Sequence, residues 1–276
     1  MTRSVKKYKS PIILAIGVGI VAIYLFPFLW MVLTSFKNQQ EIFQIPATFF
    51  PEVWRIDAYV ANLGSIQRFL GNSFIIAGGA ALISILLAVP CAYGLARFNI
   101  KGKSFFLLVF LASQLLPATV LLTPLFLMFN TIDLLDSHLA PMIATSLAGI
   151  PFSVLMLRPF FLGIPKELEE AASIDGCGRM QTFLKIILPV SLSSVAVCFA
   201  ISFFFAWGDL IYSITFNRNQ GLWPMTAGVH NAIGRYGIIW DTLMAFATVT
   251  ALPVIVLFIA LQKHIVKGLT AGAVKS

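Results

Sequence analysis

Charge is scarce in this 276-residue sequence: 11% of residues are Asp, Glu, Lys or Arg, while 59% are hydrophobic. An ordinary soluble domain carries roughly 25% charged residues. The shortage excludes a water-soluble fold, which could not hide that much apolar surface. Cysteine chemistry is also poorly provided for. Cys91, Cys177 and Cys198 lie far apart, with no CxxC or Cys/His spacing, so neither a disulfide framework nor a metal site is expected. His138, His230 and His264 fall in separate segments with no carboxylate at motif spacing. That weighs against a membrane-embedded enzyme, which needs clustered catalytic groups.

A phosphate-binding loop is missing too. Gly102-Lys103-Ser104 ends like one, but the first glycine of GxxxxGK[ST] would fall at Arg97 and no strand is expected before it. Nor does the net charge of +8 gather into a basic stripe or arm, so nucleic acid is not an expected partner.

What is present is six runs free of Asp, Glu, Lys and Arg: Pro11–Phe36, Phe69–Ala96, Ser104–Ile132, Ser137–Leu157, Ile186–Gly208 and Thr242–Gln262. Crossing roughly 30 Å of hydrocarbon takes about 20 apolar residues, and each run is long enough. All 30 charged residues lie outside them, as expected where a buried charge costs several kcal/mol. The first run is too long for a cleaved leader and lacks a small-residue cleavage site. The fourth run holds His138, Pro141 and Pro151, which leaves a continuous helix and a short or broken one both open. Pro27, Pro90, Pro117, Pro124 and Pro253 favour kinks in other runs.

The loops give the orientation. One set of alternate segments carries Arg3, Lys6, Lys7, Lys9, Arg97, Lys101, Lys103, Arg158, Lys166, Arg179, Lys185, Lys263, Lys267 and Lys275. The other carries only Lys37, Arg55, Arg68, Arg218 and Arg235. The richer side is expected to be cytoplasmic, and an even span number puts both termini there. The sequence thus reads as an all-α integral membrane protein of six transmembrane helices. A tail at 1–10 precedes the membrane domain at 11–262, and a second tail follows at 263–276. No internal repeat or low-complexity stretch is evident. Two outer segments, 37–68 and 209–241, carry Trp54, Tyr59, Tyr212, Trp223, Tyr236 and Trp240, which suit an interface position.

The segment after the fourth run differs from the other loops. Pro165 suits a first helical turn. Glu167, Glu169 and Glu170 sit where a helix dipole favours negative charge. Leu168, Ala171 and Ala172 are spaced to give a small, shallow apolar face, and Gly176 can stop the helix in a left-handed conformation. A second short helix is expected from about Arg179 to Leu188, entering the fifth run at Pro189. Lipid-surface binding fits poorly, because such a helix wants a basic polar face. Small residues suit close approach by another protein.

Glu170-Ala171-Ala172, three residues, Gly176, nine residues, then Ile186-x-Leu188-Pro189 resembles the cytoplasmic EAA signature of binding-protein-dependent ABC importer permeases. Further segments resemble the carbohydrate, maltose-permease-like branch: Tyr24-Leu-Phe-Pro-Phe-Leu-Trp30, Ser35-Phe-Lys37, Asn72-Ser-Phe74, Ala92-Tyr-Gly-Leu-Ala-Arg-Phe98, Leu243-Met-Ala245 and Lys267-Gly-Leu-Thr-Ala-Gly-Ala-Val-Lys275. Two positions depart from that pattern. Such subunits often place Asn between the Trp and the acid where this chain has Trp207-Gly208-Asp209, and the tail ends in Ser276 where Gly is common.

The resemblance implies half of a type I importer in a prokaryotic plasma (inner) membrane. Glu170, Ala171, Ala172, Asp175, Gly176, Ile186, Leu188 and Pro189 would form the coupling set. The loop at 165–185 would dock into a cleft of a cytoplasmic ATPase, a dimer that itself holds ATP and Mg, so this chain needs no cofactor and is no enzyme. A second homologous permease would complete the pathway. An extracytoplasmic sugar-binding protein would meet the outer loops, lipid would surround the spans, and the C-terminal tail would also touch the ATPase.

The composition agrees on the energy source. Apart from His138, the runs hold no acid or base, whereas ion-coupled carriers place ionisable groups inside the membrane. An ion-coupled carrier or channel is the alternative. An uncharged path suits an uncharged, hydroxyl-rich solute. Gln114, Thr119, Thr123, Asn130, Thr145, Ser146 and Ser202 are the polar span residues that could line it, although each also fits a helix–helix hydrogen bond.

Overall fold

The computed structural model describes residues 11–234 and 237–273. The expected N-terminal tail at 1–10, residues 274–276 of the other tail, Arg235 and Tyr236 lie outside the described residues. The chain forms two compact units. One runs up to Leu63 and includes Val229–Val249; the other comprises Gly64–Gly228 and continues from Thr250.

Among the described residues, five helices are long and apolar enough to cross a membrane: Ile13–Thr34, Leu63–Arg97, Leu139–Gly163, Arg179–Trp207 and Trp240–Gln262. A bent pair, Lys103–Ser113 and Ala118–Thr131, turns through 101° at its break and is long and apolar enough in sum to make a sixth.

In the first unit, helix α1 (Pro11–Thr34) leads to short helices α2 (Gln39–Ile42) and α3 (Asp57–Ala61). The stretch between α2 and α3 holds Pro46 and Pro51 and forms no helix, as proline's missing N–H requires. Side chains organise it instead. Lys37, 4% exposed, donates through Nζ to the backbone oxygen and Oγ1 of Thr48 and lies 5.3 Å from the centre of the Trp30 ring. Glu41 Oε1 accepts from Thr48 Oγ1 at 3.2 Å and the Glu52 amide at 2.9 Å. Tyr59 shares a 2.6 Å hydrogen bond with Ser35. Two short strands, β1 (Ile233–Gly234) and β2 (Gly237–Ile238), pair antiparallel and belong to the same unit.

The second unit holds α4 (Leu63–Arg97), α5 (Lys103–Ser113), α6 (Ala118–Thr131), α7 (Leu139–Gly163), α8 (Glu167–Ile174), α9 (Arg179–Thr182), α10 (Leu188–Trp207) and α11 (Ile211–Phe216). It also holds most of α12 (Met225–Asn231) and the larger part of α13 (Trp240–Ala273). In lipid, helices associate through close packing rather than water exclusion, and small residues set the spacing here. Ala77, Ala80, Ala81, Ser84 and Ala88 are all buried along one side of α4. Gly149 on α7 faces them so closely that an added Cβ would come within 2.4 Å of Ser84 Oγ and 3.1 Å of Ser202 Oγ. Larger side chains fill the ends. Phe203 and Trp207 stack at 5.3 Å beside Ile76 and Met142, and Tyr93, Leu157, Phe161, Phe183 and Ile187 pack together at the other end.

Of the alternatives open for the fourth run, the continuous helix is the one found: α7 passes unbroken through Pro141, Pro151 and Pro159. Pro141 lies in its first turn, where the missing N–H is not needed. The break falls in the third run. Pro117 is extended at ψ 140° and disfavours helix for Leu116 before it. Other residues satisfy carbonyls near the break: Tyr212 Oη donates to Ala118 O at 3.1 Å, and Gln114 Nε2 donates to Ala148 O at 2.9 Å.

The second expected helix of the loop is also different. From Arg179 the chain is helical to Trp207, by way of a π-helical turn at Phe183–Ile187. There the Leu188 N–H reaches back to Phe183 O, and the wider turn carries the helix past Pro189 without a stop. Helix α13 likewise continues into the expected C-terminal tail as far as Ala273.

Candidate functional site

The surface helix–turn–helix between α7 and α10 is short and held by its ends. Helix α8 begins after Lys166, whose carbonyl accepts from the Glu169 and Glu170 amides at 2.9 and 3.0 Å. Three glutamates occupy the first turn, where the helix dipole favours them. At the other end Gly176 has φ 80°, and two backbone bonds close the turn. Cys177 N–H donates to Ala172 O at 2.9 Å, and Gly176 N–H donates to Ser173 O at 3.1 Å. This pair is a complete Schellman stop. Nothing lies within 4 Å of a Cβ at Gly176, so backbone conformation, not space, makes glycine the fitting residue.

Of the expected apolar face, only Ala172 is buried; Ala171 and Leu168 are exposed. Glu170 and Asp175 are exposed as well. Two large apolar side chains flank the turn in the open: Ile174 is 87% exposed and Met180 68%. Further on, Ile186 and Leu188 are half-buried and Pro189 is exposed, while Ile187 between them is fully buried. The residues expected to form the coupling set therefore divide. Glu170, Ala171, Asp175 and Gly176 form an outward knob, whereas Ala172, Ile186 and Leu188 help seat it.

Sequence reading missed what holds the knob. Arg97, the last residue of α4, donates from Nε to Glu169 Oε1 at 2.7 Å and from an Nη to Ile164 O at 2.7 Å. Its side chain is 6% exposed and that of Glu169 24%. Removing one partner of a buried pair strands the other charge, at a cost of about 3–5 kcal/mol. Tyr93, one turn earlier, lies 4.8 Å from the Phe183 ring, and Arg179 sits 5.6 Å over Phe98. An open groove of about 490 Å³ remains between the end of α4 and the loop, bordered by Tyr93, Arg97, Glu169, Glu170 and Arg179.

The polar span residues scatter. Thr119, Thr123 and Asn130 are exposed on α6, and spacings of four and seven place them on one helix face. Gln114 sits at the break. Thr145 Oγ1 and Ser146 Oγ are buried and bond to carbonyls of their own helix, Pro141 O and Ile143 O, each at 2.7 Å. Ser202 Oγ meets Ser153 Oγ at 3.3 Å, joining α10 to α7. The structure thus leaves only Thr119, Thr123 and Asn130 with an open common face.

At the opposite end of the second unit, Asn72 fastens the segment after α10. Its Nδ2 donates to Gly221 O at 2.7 Å and Trp223 O at 2.9 Å, and its Oδ1 lies 3.0 Å from His138 Nε2. With both amide hydrogens used on carbonyls, Oδ1 is the acceptor and His138 Nε2 carries the proton. Ser73 Oγ accepts from the Met225 amide at 2.8 Å. Asp136 Oδ1 takes the Arg218 and Asn219 amides. Asp209 accepts from the Tyr212 and Ser213 amides at the start of α11; burial pushes its carboxyl up, and the Ser213 and Tyr212 donors partly offset that. Two aromatics here help pack the segment: Tyr212 is buried against Phe216 at 5.6 Å, and Trp223 Nε1 donates to Asn217 O at 2.8 Å.

Known proteins resemble the chain over nearly its whole length. The family described as binding-protein-dependent transport system inner membrane component matches residues 80–271. A probable ABC transporter permease protein of Bacillus subtilis, YurM, is 33% identical, over 91% of this chain and 83% of that protein. The sulfoquinovosyl glycerol transport system permease protein SmoH of Agrobacterium fabrum is 33% identical, over 91% and 89%. The arabinooligosaccharides transport system permease protein AraQ of Halalkalibacterium halodurans is 31% identical, over 98% and 99%. In fold, the chain matches a solved bacterial ABC transporter involved in import of the acidic polysaccharide alginate, with TM-score 0.77 and 20% identity, over 95% of this chain and 99% of that one. A second structure shows a bacterial alginate ABC transporter in complex with an alginate pentasaccharide-bound periplasmic protein, with TM-score 0.66 and 17% identity, over 94% and 96%.

Proposed function

The chain belongs to the family of inner membrane components of binding-protein-dependent transport systems, and from that premise we propose that it is the permease subunit of an ATP-driven importer for a carbohydrate. It forms half of the pathway and takes its energy from a separate ATPase dimer, which holds the ATP and Mg. This chain binds no cofactor and catalyses no reaction. A second homologous permease supplies the other half, and an extracytoplasmic sugar-binding protein delivers the solute. Both termini face the cytoplasm of a prokaryotic cell, because the basic residues crowd that side. The relatives' names support the substrate class: they include permeases for a sulfoquinovosyl glycerol and for arabinooligosaccharides.

The observation that carries this reading is the outward knob on α8. Exposed Glu170 and Asp175, with Ile174 and Met180 beside the Gly176 turn, present charge and apolar surface on a rigidly stopped helix. Such a knob suits a cleft in a partner. Glu170→Lys reverses its charge without touching the core, so protein levels in the membrane should match wild type. Uptake should fall by roughly tenfold or more, the scale of like-charge juxtaposition at an interface; cell uptake with quantified membrane protein checks this. The broken span supports a passage, since non-helical backbone at membrane depth is tolerated where it lines a cavity or is buried in protein.

The test against the carrier alternative uses this chain alone in proteoliposomes. No sugar flux is expected under a proton or sodium gradient. Gradient-driven flux would establish a self-powered carrier and overturn the proposal.

A further inference from the structure

We propose that Arg97 is the positioning residue that makes the inner end of α4 and the coupling helix α8 move as one body. The inference rests on the permease reading and goes beyond it, because it names a transmission element outside the loop signature. Helix α8 is eight residues long and buries only Ala172, so it has little packing of its own to fix its direction. Three links tie the loop to the last turns of α4. Arg97 grips the first limb twice, through the Glu169 carboxylate and the Ile164 carbonyl. Tyr93 and Phe98 hold the second limb through Phe183 and Arg179.

The two grips differ in kind. Ring contacts tolerate sliding, whereas a guanidinium fork fixes both distance and angle. Arg97 spans the start of the loop at Ile164 and the first turn of α8 at Glu169, so a tilt of α8 must carry α4 with it. Helix α4 in turn contributes Ala77, Ala80, Ala81 and Ser84 to the close-packed centre. A displacement of the knob by the ATPase therefore reaches the membrane core through Arg97.

The test compares four complexes, each assembled with its ATPase, second permease and binding protein in proteoliposomes: wild type, Arg97→Gln, Glu169→Gln, and the charge-swapped double variant Arg97→Glu with Glu169→Arg. Solute transported per ATP hydrolysed is measured together with the amount of assembled complex. Both single variants should lower the transport-to-hydrolysis ratio about fivefold or more, the usual scale of coupling between sites. The swap should recover part of it, because it restores the ion pair but not the Ile164 contact. Unchanged ratios in the single variants would overturn the proposal. So would ratios that stay constant while assembled complex and both activities fall in parallel, since that marks a folding role. Failure of the wild-type complex to hydrolyse ATP in response to loaded binding protein would instead overturn the permease reading itself.

Discussion

Gly176→Pro should reduce ATP-driven uptake to background while leaving the chain in the membrane. Proline fixes φ near −65°, whereas Gly176 sits at 80°. The substitution also removes the N–H that donates to Ser173 O. Either fault alone disrupts the stop, and together they cost roughly 3 kcal/mol or more. Helix α8 would then lose its end and its direction, and Ile174 would leave its place beside the turn. Gly176→Ala separates conformation from space. Its Cβ meets nothing, its N–H remains, and its cost should be about 1–2 kcal/mol, so uptake should fall only in part. Transport assays on both variants, with membrane abundance measured in parallel, check the order: proline far worse than alanine. Equal activity of the two would mean that the left-handed turn is not what the loop requires.

Asn72→Asp should have the largest effect on stability. Asn72 is 7% exposed and places two amide hydrogens on the Gly221 and Trp223 carbonyls. A carboxylate can only accept, so both carbonyls would lose their donor and face an oxygen instead. Leaving buried polar groups unpaired costs about 1–3 kcal/mol each. The purified protein in lipid should therefore melt lower by roughly 5–10 °C, and proteolysis of the segment around 217–228 should quicken. Unchanged melting would show that this segment is fastened elsewhere. Asn72→Ala removes the donors without adding repulsion and should fall between wild type and Asp.

The spans were legible because charge is so costly in hydrocarbon. A run empty of Asp, Glu, Lys and Arg needs no pattern to be recognised, and each of the six runs contains most of a helix or bent helix pair. The turn at Gly176 was legible for a local reason: a left-handed stop after an acid-rich first turn is written within ten residues. What sequence could not place depends on partners far along the chain. The prolines marked both the third and the fourth run, but only the third breaks, at Pro117, where Tyr212 donates to Ala118 O from 94 residues away. Arg97 entered as a basic loop residue and as part of the Ala92–Phe98 segment, but its partner was not legible, since Glu169 lies 72 positions on. The segment after Trp207 escaped because α11 and α12 have six and seven residues, too few for a helical period to show. Thr145, Ser146 and Ser202 looked like path residues by polarity alone, yet their hydroxyls face backbone or a neighbouring serine.

The central claim is that this chain moves solute only when a separate ATPase works on its α8 knob. The direct measurement is ATP hydrolysis and solute entry in proteoliposomes holding the chain with its ATPase, partner permease and binding protein. Solute-loaded binding protein should stimulate hydrolysis, and entry should stop when ATP is omitted and fall by roughly tenfold or more when Glu170 is replaced by Lys. Solute entry that proceeds at the same rate without ATP, or with Glu170→Lys, would contradict the account.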